Sequence, residues 1–224
     1  MRERHVDAGA GTANLLGGRH DCQRIAGLTG ACLSGALSPA AAAPAIGQQA
    51  PAFTATDVDG RTVRLADFRG RHVVLEWNNP GCPFVRKHYQ QSGNLPALQK
   101  AYTARGVAWL AVNSTERGHA DHLSPADLRK WFSDQGARPT AVLMDESGAV
   151  GRAYGATVTP HMYIVDPQGR LVYAGGIDSI RSANAEDIRS ARAQVREALD
   201  QALAGKPIDT PTSTPYGCSI KYGP

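Results

Sequence analysis

From residue 72 onward the apolar residues of this chain switch repeatedly between a strand period and a helix period, and this alternation restricts the fold more than any other feature. His72-Val73-Val74-Leu75-Glu76-Trp77 is an apolar run of strand length, and the stretch from Pro83 to Gly106 carries helical spacing broken at Ser92-Gly93-Asn94. Val107 to Asn113 is strand-like again. Ser124-Pro125-Ala126-Asp127 opens a helix with a capping hydroxyl, a proline at the first helical position and an acid at the third. Thr140 to Met144 returns to a strand, and the order βαβαβ implies parallel strands with helices on the sheet faces. His161 to Val165 and Arg170 to Ala174 are joined by Asp166-Pro167-Gln168-Gly169, a turn suited to an antiparallel hairpin. The spacing then predicts a last helix from about Ala185 to Ala204, with Asn184 as N-cap, Asp187 at the capping-box position, and Gly205 and Pro207 as stops. Ahead of the first strand, Ala52 to Thr56 and Thr62 to Leu65 flank Asp57-Val58-Asp59-Gly60, which reads as a short hairpin.

The pattern βαβ, a linking helix, then ββα is the order of the thioredoxin fold: α/β, a central mixed sheet flanked by helices, here with an N-terminal hairpin extension. We read residues 1–43 as a leader, 44–205 as one domain and 206–224 as a tail carrying Cys218. The leader segment Arg24 to Ala43 has a basic residue, a mildly apolar run from Ile25 to Leu37 and small residues at Ala41 to Ala43, so it looks like a secretory signal and implies a periplasmic or secreted protein. An Ala/Gly-rich extension on a cytoplasmic protein is the alternative. The run is too short to span a bilayer. Beyond residue 43 the chain has 20 basic against 17 acidic residues and no basic stripe, which argues against nucleic acid or an anionic membrane as partner.

Four cysteines stand at 22, 32, 82 and 218, and no two are separated by only two residues. Neither a zinc ribbon nor a C-x-x-C redox pair can be drawn, so cysteine chemistry must be assembled across the fold. Cys82 falls between a strand and a helix, where unpaired amide N–H groups and the positive end of the helix dipole favour a thiolate. Arg86, four residues on, lies on the same helical face and adds a cation. A thiolate there attacks a disulfide sulfur or a peroxide oxygen. Glu76, on an otherwise apolar strand, is either a buried acid with a raised pKa that relays protons or a carboxylate at the surface.

Four segments together resemble a peroxiredoxin-like branch of the AhpC/TSA redoxins of the thioredoxin superfamily. They are Leu65-Ala66-Asp67-Phe68-Arg69-Gly70-Arg71, the run from Glu76 to Tyr89 around Pro80-Gly81-Cys82-Pro83-Phe84-Val85, Val158-Thr159-Pro160-His161-Met162-Tyr163-Ile164-Val165-Asp166, and Pro215-Tyr216-Gly217-Cys218-Ser219-Ile220-Lys221-Tyr222. The resemblance spans roughly residues 46 to 222. It implies that Cys82 holds the place of the first thioredoxin cysteine and of the peroxidatic cysteine, that Val85 replaces the second, and that Thr159-Pro160 is the cis-proline step facing the active cysteine. It also puts Glu76 at the place of the thioredoxin buried acid and makes Trp77, Pro83, Phe84, Thr159 and Pro160 the substrate-facing set. Asn79 and Leu75 stand where the peroxiredoxin signature has a hydroxyl residue and a proline.

Cys218 lies thirteen residues beyond Gly205. At about 3.3 to 3.6 Å per extended residue the tail spans some 43 to 47 Å, enough to reach Cys82 within one chain or across a homodimer. Our expectation is that Cys218 is the resolving thiol and that an external dithiol such as thioredoxin resets the pair. No organic cofactor is implied, since redox equivalents come from thiols and no phosphate-cradling glycine motif is present. Two other readings remain open at this level. Cys82, Cys218, His88 and His161 could gather to hold Cu(I) or zinc, or the domain could be a non-catalytic binding module in which the cysteine only packs.

Overall fold

The computed structural model describes residues 43–224. The hairpin β1 (Thr54–Asp57) and β2 (Thr62–Arg64) forms as the Asp-Gly turn predicts, and a 3-10 turn over Leu65–Phe68 leads to β3 (Val73–Trp77). After β3 come α1 (Pro83–Arg86), a π-helical turn over Lys87–Gln91 and α2 (Asn94–Thr103). Gly93, at φ 64°, makes the predicted break between the two helical stretches. Next follow β4 (Ala108–Asn113), α3 (Pro125–Asp134) and β5 (Ala141–Met144). Ser124 caps α3 by accepting from the Asp127 amide. A short helix, α4 (Ala149–Tyr154), links β5 to β6 (Val158–Thr159) and was not read from its six residues. The hairpin β7 (His161–Val165) and β8 (Leu171–Gly175), α5 (Gln194–Leu203) and a two-residue strand β9 (Cys218–Ser219) complete the chain.

The main sheet has the order β2-β1-β5-β4-β3-β7-β8. β3, β4 and β5 are parallel, whereas β1, β7 and β8 each run antiparallel to a neighbour. This is the mixed sheet of a thioredoxin fold. Every residue of β3, β4 and β7 is buried, because helices or packed segments cover both faces. Val74, Trp109, Ala111, Met162 and Ile164 pack on one face with residues of α2, α3 and α5. Leu75, Trp77, Leu110, Val112 and Tyr163 pack on the other, with α4 and the N-terminal segment around Ala50.

The last predicted helix is divided. Asn184 does cap, accepting from the Glu186 amide, but it starts a 3-10 helix over Ala185–Arg189 that stops at Ser190. Serine side chains compete with the helix here. The Asp187 carboxylate is taken by Ser182 Oγ instead of completing a capping box, and Ser179 Oγ accepts from the Arg192 amide, drawing the chain aside before α5 begins. The tail is likewise part of the fold. Its Thr212 bridges Ala174, and β9 pairs antiparallel with β6.

Candidate active site

Cys82 is the N-cap of α1, with Pro83 at the first helical position. The loop that carries it is tied from behind. The Asn78 amide donates to Val112 O (2.9 Å), and Asn113 Nδ2 donates to Asn78 O (3.1 Å). Asn79 folds the turn: its Oδ1 accepts from the Gly81 amide (2.7 Å), its carbonyl accepts from the Cys82 amide (3.0 Å), and its Nδ2 donates to Asp121 Oδ2 (3.2 Å). The residue standing where a hydroxyl was expected therefore shapes the cysteine loop and recruits Asp121 from the His119-Ala120-Asp121-His122 segment.

The Cys82 thiol is 2% exposed and donates to the carbonyl of Thr159 (3.1 Å). The Thr159-Pro160 peptide is cis, as the resemblance implies. In the β6–β9 register Cys218 is the partner of Thr159, so both cysteines converge on this one residue. Partial burial and the neighbouring Cys82 sulfur push the Cys218 thiol up to about 12. Both thiols are free. The convergence shown here occurs within one chain.

Other expected site residues are distributed unevenly. Phe84 packs edge-on against Tyr216 (5.9 Å between ring centroids), Pro83 is exposed at the start of α1, and Thr159 and Pro160 are buried beside the thiols. Arg86 is exposed and its Nε donates to Pro80 O (3.0 Å), so it braces the loop ahead of Cys82, with no hydrogen bond to the sulfur. Trp77 corrects the expectation of a substrate-facing indole. It is fully buried on the sheet face away from Cys82, packed against Tyr154 and Tyr163 with Nε1 donating to Ser114 Oγ (3.0 Å). The run around Trp77 is buried on both sides, so alternation along β3 could not reveal the direction of its side chain.

Glu76 is fully buried, and burial raises its pKa. Four donors partly offset that penalty: Tyr89 OH (2.6 Å), Trp109 Nε1 (2.7 Å), Gln99 Nε2 (3.1 Å) and Asn78 Nδ2 (3.1 Å). The expected buried acid is present, with no hydrogen bond linking it directly to Cys82. The four candidate metal ligands do not converge. His88 bonds Tyr216 and Asn94, His161 bonds Tyr163, and no cluster of three His, Cys, Asp or Glu side chains able to hold a metal occurs among the described residues.

Sequence reasoning missed a second buried polar cluster beside the cysteines. Lys87 has no exposure and lies 3.7 Å from Asp178 Oδ2, while Tyr216 OH donates to Asp178 Oδ1 (2.5 Å). Lys87 Nζ (3.4 Å) and His88 Nε2 (3.3 Å) approach the same hydroxyl. Burial and the adjacent Lys87 ammonium hold the His88 pKa down to about 3, so His88 is neutral and its 3.7 Å approach to Asp178 is not an ion pair. Lys87 and His88, directly ahead of the buried Tyr89, were the available signal: two polar residues on the stretch between Val85 and Tyr89 that, apart from Arg86, faces the core.

A thioredoxin-type sheet with a cysteine at the β3–α1 junction and a second thiol facing it defines a thiol-based oxidoreductase of the thioredoxin fold. More particularly, the chain belongs to the AhpC/TSA family, whose model matches residues 46–174. The thiol-disulfide oxidoreductase ResA of Geobacillus thermodenitrificans is 30% identical over 58% of this chain and 68% of its own length. A Mycobacterium tuberculosis protein bearing a peroxiredoxin name is 28% identical over 57% of this chain and 82% of its own. The crystal structure of an uncharacterized conserved protein from Geobacillus kaustophilus is 34% identical, covers 80% of this chain and 93% of that one, and superposes with a TM-score of 0.70. No helix among the described residues is long and apolar enough to cross a membrane, and the signal-like leader and Cys22 and Cys32 lie outside those residues.

Proposed function

We propose that this protein cycles between a Cys82/Cys218 dithiol and an intrachain Cys82–Cys218 disulfide, reducing a peroxide or a disulfide. The observation that carries the reading is the shared seat at Thr159: its carbonyl accepts from Cys82 and its strand partner is Cys218. With a peroxide, the Cys82 sulfur attacks one oxygen, the O–O bond breaks, and the other oxygen leaves as water or alcohol after taking a proton. Cys218 then attacks the sulfenic sulfur, an S–S bond forms and water leaves. With a disulfide substrate, Cys82 forms a mixed disulfide and releases one thiol, and Cys218 releases the second. In either case two electrons pass to the substrate and an external dithiol, thioredoxin-like, returns them to the pair. The ResA relative supports the disulfide route and the peroxiredoxin-named relative supports the peroxide route. Export to an oxidising compartment fits the signal-like leader, and Thr159 and Pro160 frame the approach to the thiols.

Peroxide consumption and insulin-disulfide reduction, measured side by side for wild type, Cys82→Ser and Cys218→Ser, test this. Cys82→Ser should abolish whichever activity is present, whereas Cys218→Ser should allow one stoichiometric oxidation and block recycling by thioredoxin. Peptide mapping of the oxidised wild type should recover a Cys82–Cys218 disulfide. Finding Cys82 only as sulfinic acid, with Cys218 untouched, would sink the pairing.

A further inference from the structure

The loop between β4 and α3, residues 114–124, is bonded to both segments that carry the thiols. At its root Asn113 donates through Nδ2 to Asn78 O (3.1 Å) while its Oδ1 accepts from the Thr115 amide (3.1 Å). Further along, Asp121 Oδ2 accepts from Asn79 Nδ2 (3.2 Å), which sets the carboxylate against the turn just ahead of Cys82. Gly81 leaves the room for it, since a Cβ there would stand 3.0 Å from Asp121 Cγ and 3.1 Å from Oδ2. The same loop holds the segment from Pro211 to Gly223, a strap across the active-site end that carries Cys218. The Glu116 amide donates to Lys221 O (2.8 Å), and a Cβ on Gly223 would meet Glu116 Oε2 at 2.7 Å. The strap is bonded to the body on either side of Cys218: Ser213 Oγ accepts from the Gly176 amide (3.0 Å), and the Ile220 amide donates to Thr157 O (3.0 Å).

A thiol pushed up to about 12 is protonated at neutral pH, so Cys218 must shed its proton while its sulfur attacks. The ionisable groups near the two thiols differ in their ability to take that proton. Glu76 is fully buried within its ring of four donors. Lys87 and His88 are turned to Tyr216 and Asp178, and His161 is buried beside Tyr163. Asp121 combines contact with the cysteine turn and a side chain 35% exposed, so a proton it accepts can exchange with solvent. The charged and titratable groups around it are His119 on its own loop, Cys82 and Arg86 flanking the Pro80-Gly81 turn, and Cys218 and Lys221 on the strap. His119 Nδ1 accepts from the Asp121 amide (3.0 Å) and lies 4.0 Å from Oδ2, Arg86 is engaged with Pro80 O, and the charge of Asp121 is felt at Cys218.

Resting on the Cys82/Cys218 cycle above, we propose that Asp121 is the proton acceptor of the resolving step. As Cys218 Sγ attacks the sulfenic sulfur of Cys82, the Asp121 carboxylate takes the Sγ proton, the S–S bond forms and the S–O bond breaks. The same proton then leaves with the departing hydroxide as water, and Asp121 is again ionised. With a mixed disulfide on Cys82, the proton leaves on the released substrate thiol instead.

The test uses the full chain, as wild type, Asp121→Asn and Asp121→Glu. Asparagine keeps an oxygen for Asn79 Nδ2 and removes the base, whereas glutamate keeps the carboxylate. One equivalent of hydrogen peroxide, and in a second series one of cystamine, is added, and the acid-quenched chain is weighed and mapped over time. The adduct on Cys82 reports the first step, and its conversion to the Cys82–Cys218 disulfide reports the second. Asp121→Asn should form the adduct no more slowly than wild type but resolve it about a hundredfold more slowly at pH 6, the scale of general base catalysis. Without a base the step depends on the thiolate fraction of Cys218, so the variant's rate should rise about tenfold per pH unit and close the gap near pH 8. Wild type and Asp121→Glu should instead change by less than about threefold over that range. Two results would overturn the proposal: resolution in Asp121→Asn as fast as in wild type or faster, the sign of a carboxylate that only repels thiolates, or a deficit of equal size at every pH, the sign of a merely structural role. Absence of a Cys82–Cys218 disulfide in wild type with either oxidant would instead remove the cycle on which the proposal rests.

Discussion

Replacing Gly217 with alanine separates the register of the strap from the mere length of the tail. Gly217 has φ of +143°, a conformation that side chains disfavour, and it runs directly against the Thr159-Pro160 backbone. A Cβ there would clash with Thr159 O and stand 2.6 Å from Thr159 C and 3.3 Å from Pro160 N. These are backbone atoms at the entrance to β7, which pairs along its length with β3, so the strap and not the body must yield. Holding a non-glycine residue at such a φ costs on the order of 1–3 kcal/mol. Lifting the strap also gives up the β6–β9 pairing and the Ile220 to Thr157 bond, each hydrogen bond contributing about 0.5–1.5 kcal/mol net. A penalty of about 3 to 4 kcal/mol on the docked register lowers the effective concentration of Cys218 at Cys82 by about two to three orders of magnitude. After one equivalent of oxidant, alkylation quenches and peptide mapping should show the Cys82–Cys218 disulfide forming about a hundredfold more slowly than in wild type. The melting temperature should fall as well, by up to about 16 °C, since the same penalty is taken from the folded state and Tyr216 beside Gly217 belongs to a core cluster. Disulfide formation within about threefold of wild type would refute the argument, because a factor of three is under 1 kcal/mol.

Glu76→Ala strands Trp109 Nε1, Asn78 Nδ2 and the Tyr89 hydroxyl without an acceptor, while Gln99 still donates to Tyr89. Three unsatisfied buried donors and the vacated space cost about 4 kcal/mol, or about 8 to 16 °C in melting temperature for a domain of this size. A fall of less than about 3 °C in the reduced protein would contradict that network's importance. The pH dependence of stability should carry the sign of depressed imidazoles. Burial holds His88 at about 3 and His161 at about 4, each below the ordinary 6.5 of an unfolded chain. Their contribution is therefore full above 6.5 and is lost as pH falls through the folded values, each histidine giving up about 2 kcal/mol by pH 5. Glu76, raised by burial, acts in the opposite sense, its contribution being lost as pH rises. Denaturant unfolding of wild type and His161→Asn at pH 8 and pH 5 isolates one imidazole: wild type should lose about 2 kcal/mol more than the variant, and equal losses would count against the assignment.

What the sequence determined by itself is local: the β3 run, the Ser124 cap, the Gly93 break, both hairpins and the place of Cys82 at a strand-to-helix junction. Periodicity, turn chemistry and capping act over a few residues and can be read where they stand. The thioredoxin order followed from these, and the family from the resemblance of four segments to the AhpC/TSA redoxins. Tertiary structure decided the rest. Strands buried on both faces carry no alternation, so β3 could not announce that Trp77 points away from Cys82 while Glu76 points into a ring of four donors. The last helix broke because Ser179 and Ser182 outcompeted it from outside its own span. The strap is the plainest case: a two-residue strand has no period, and Tyr216 and Lys87, 129 positions apart, are buried together because the fold brings Asp178 to both. Chain length allowed Cys218 to reach Cys82, and the close backbone approach at Gly217 with the buried hydroxyl of Tyr216 decided where it docks.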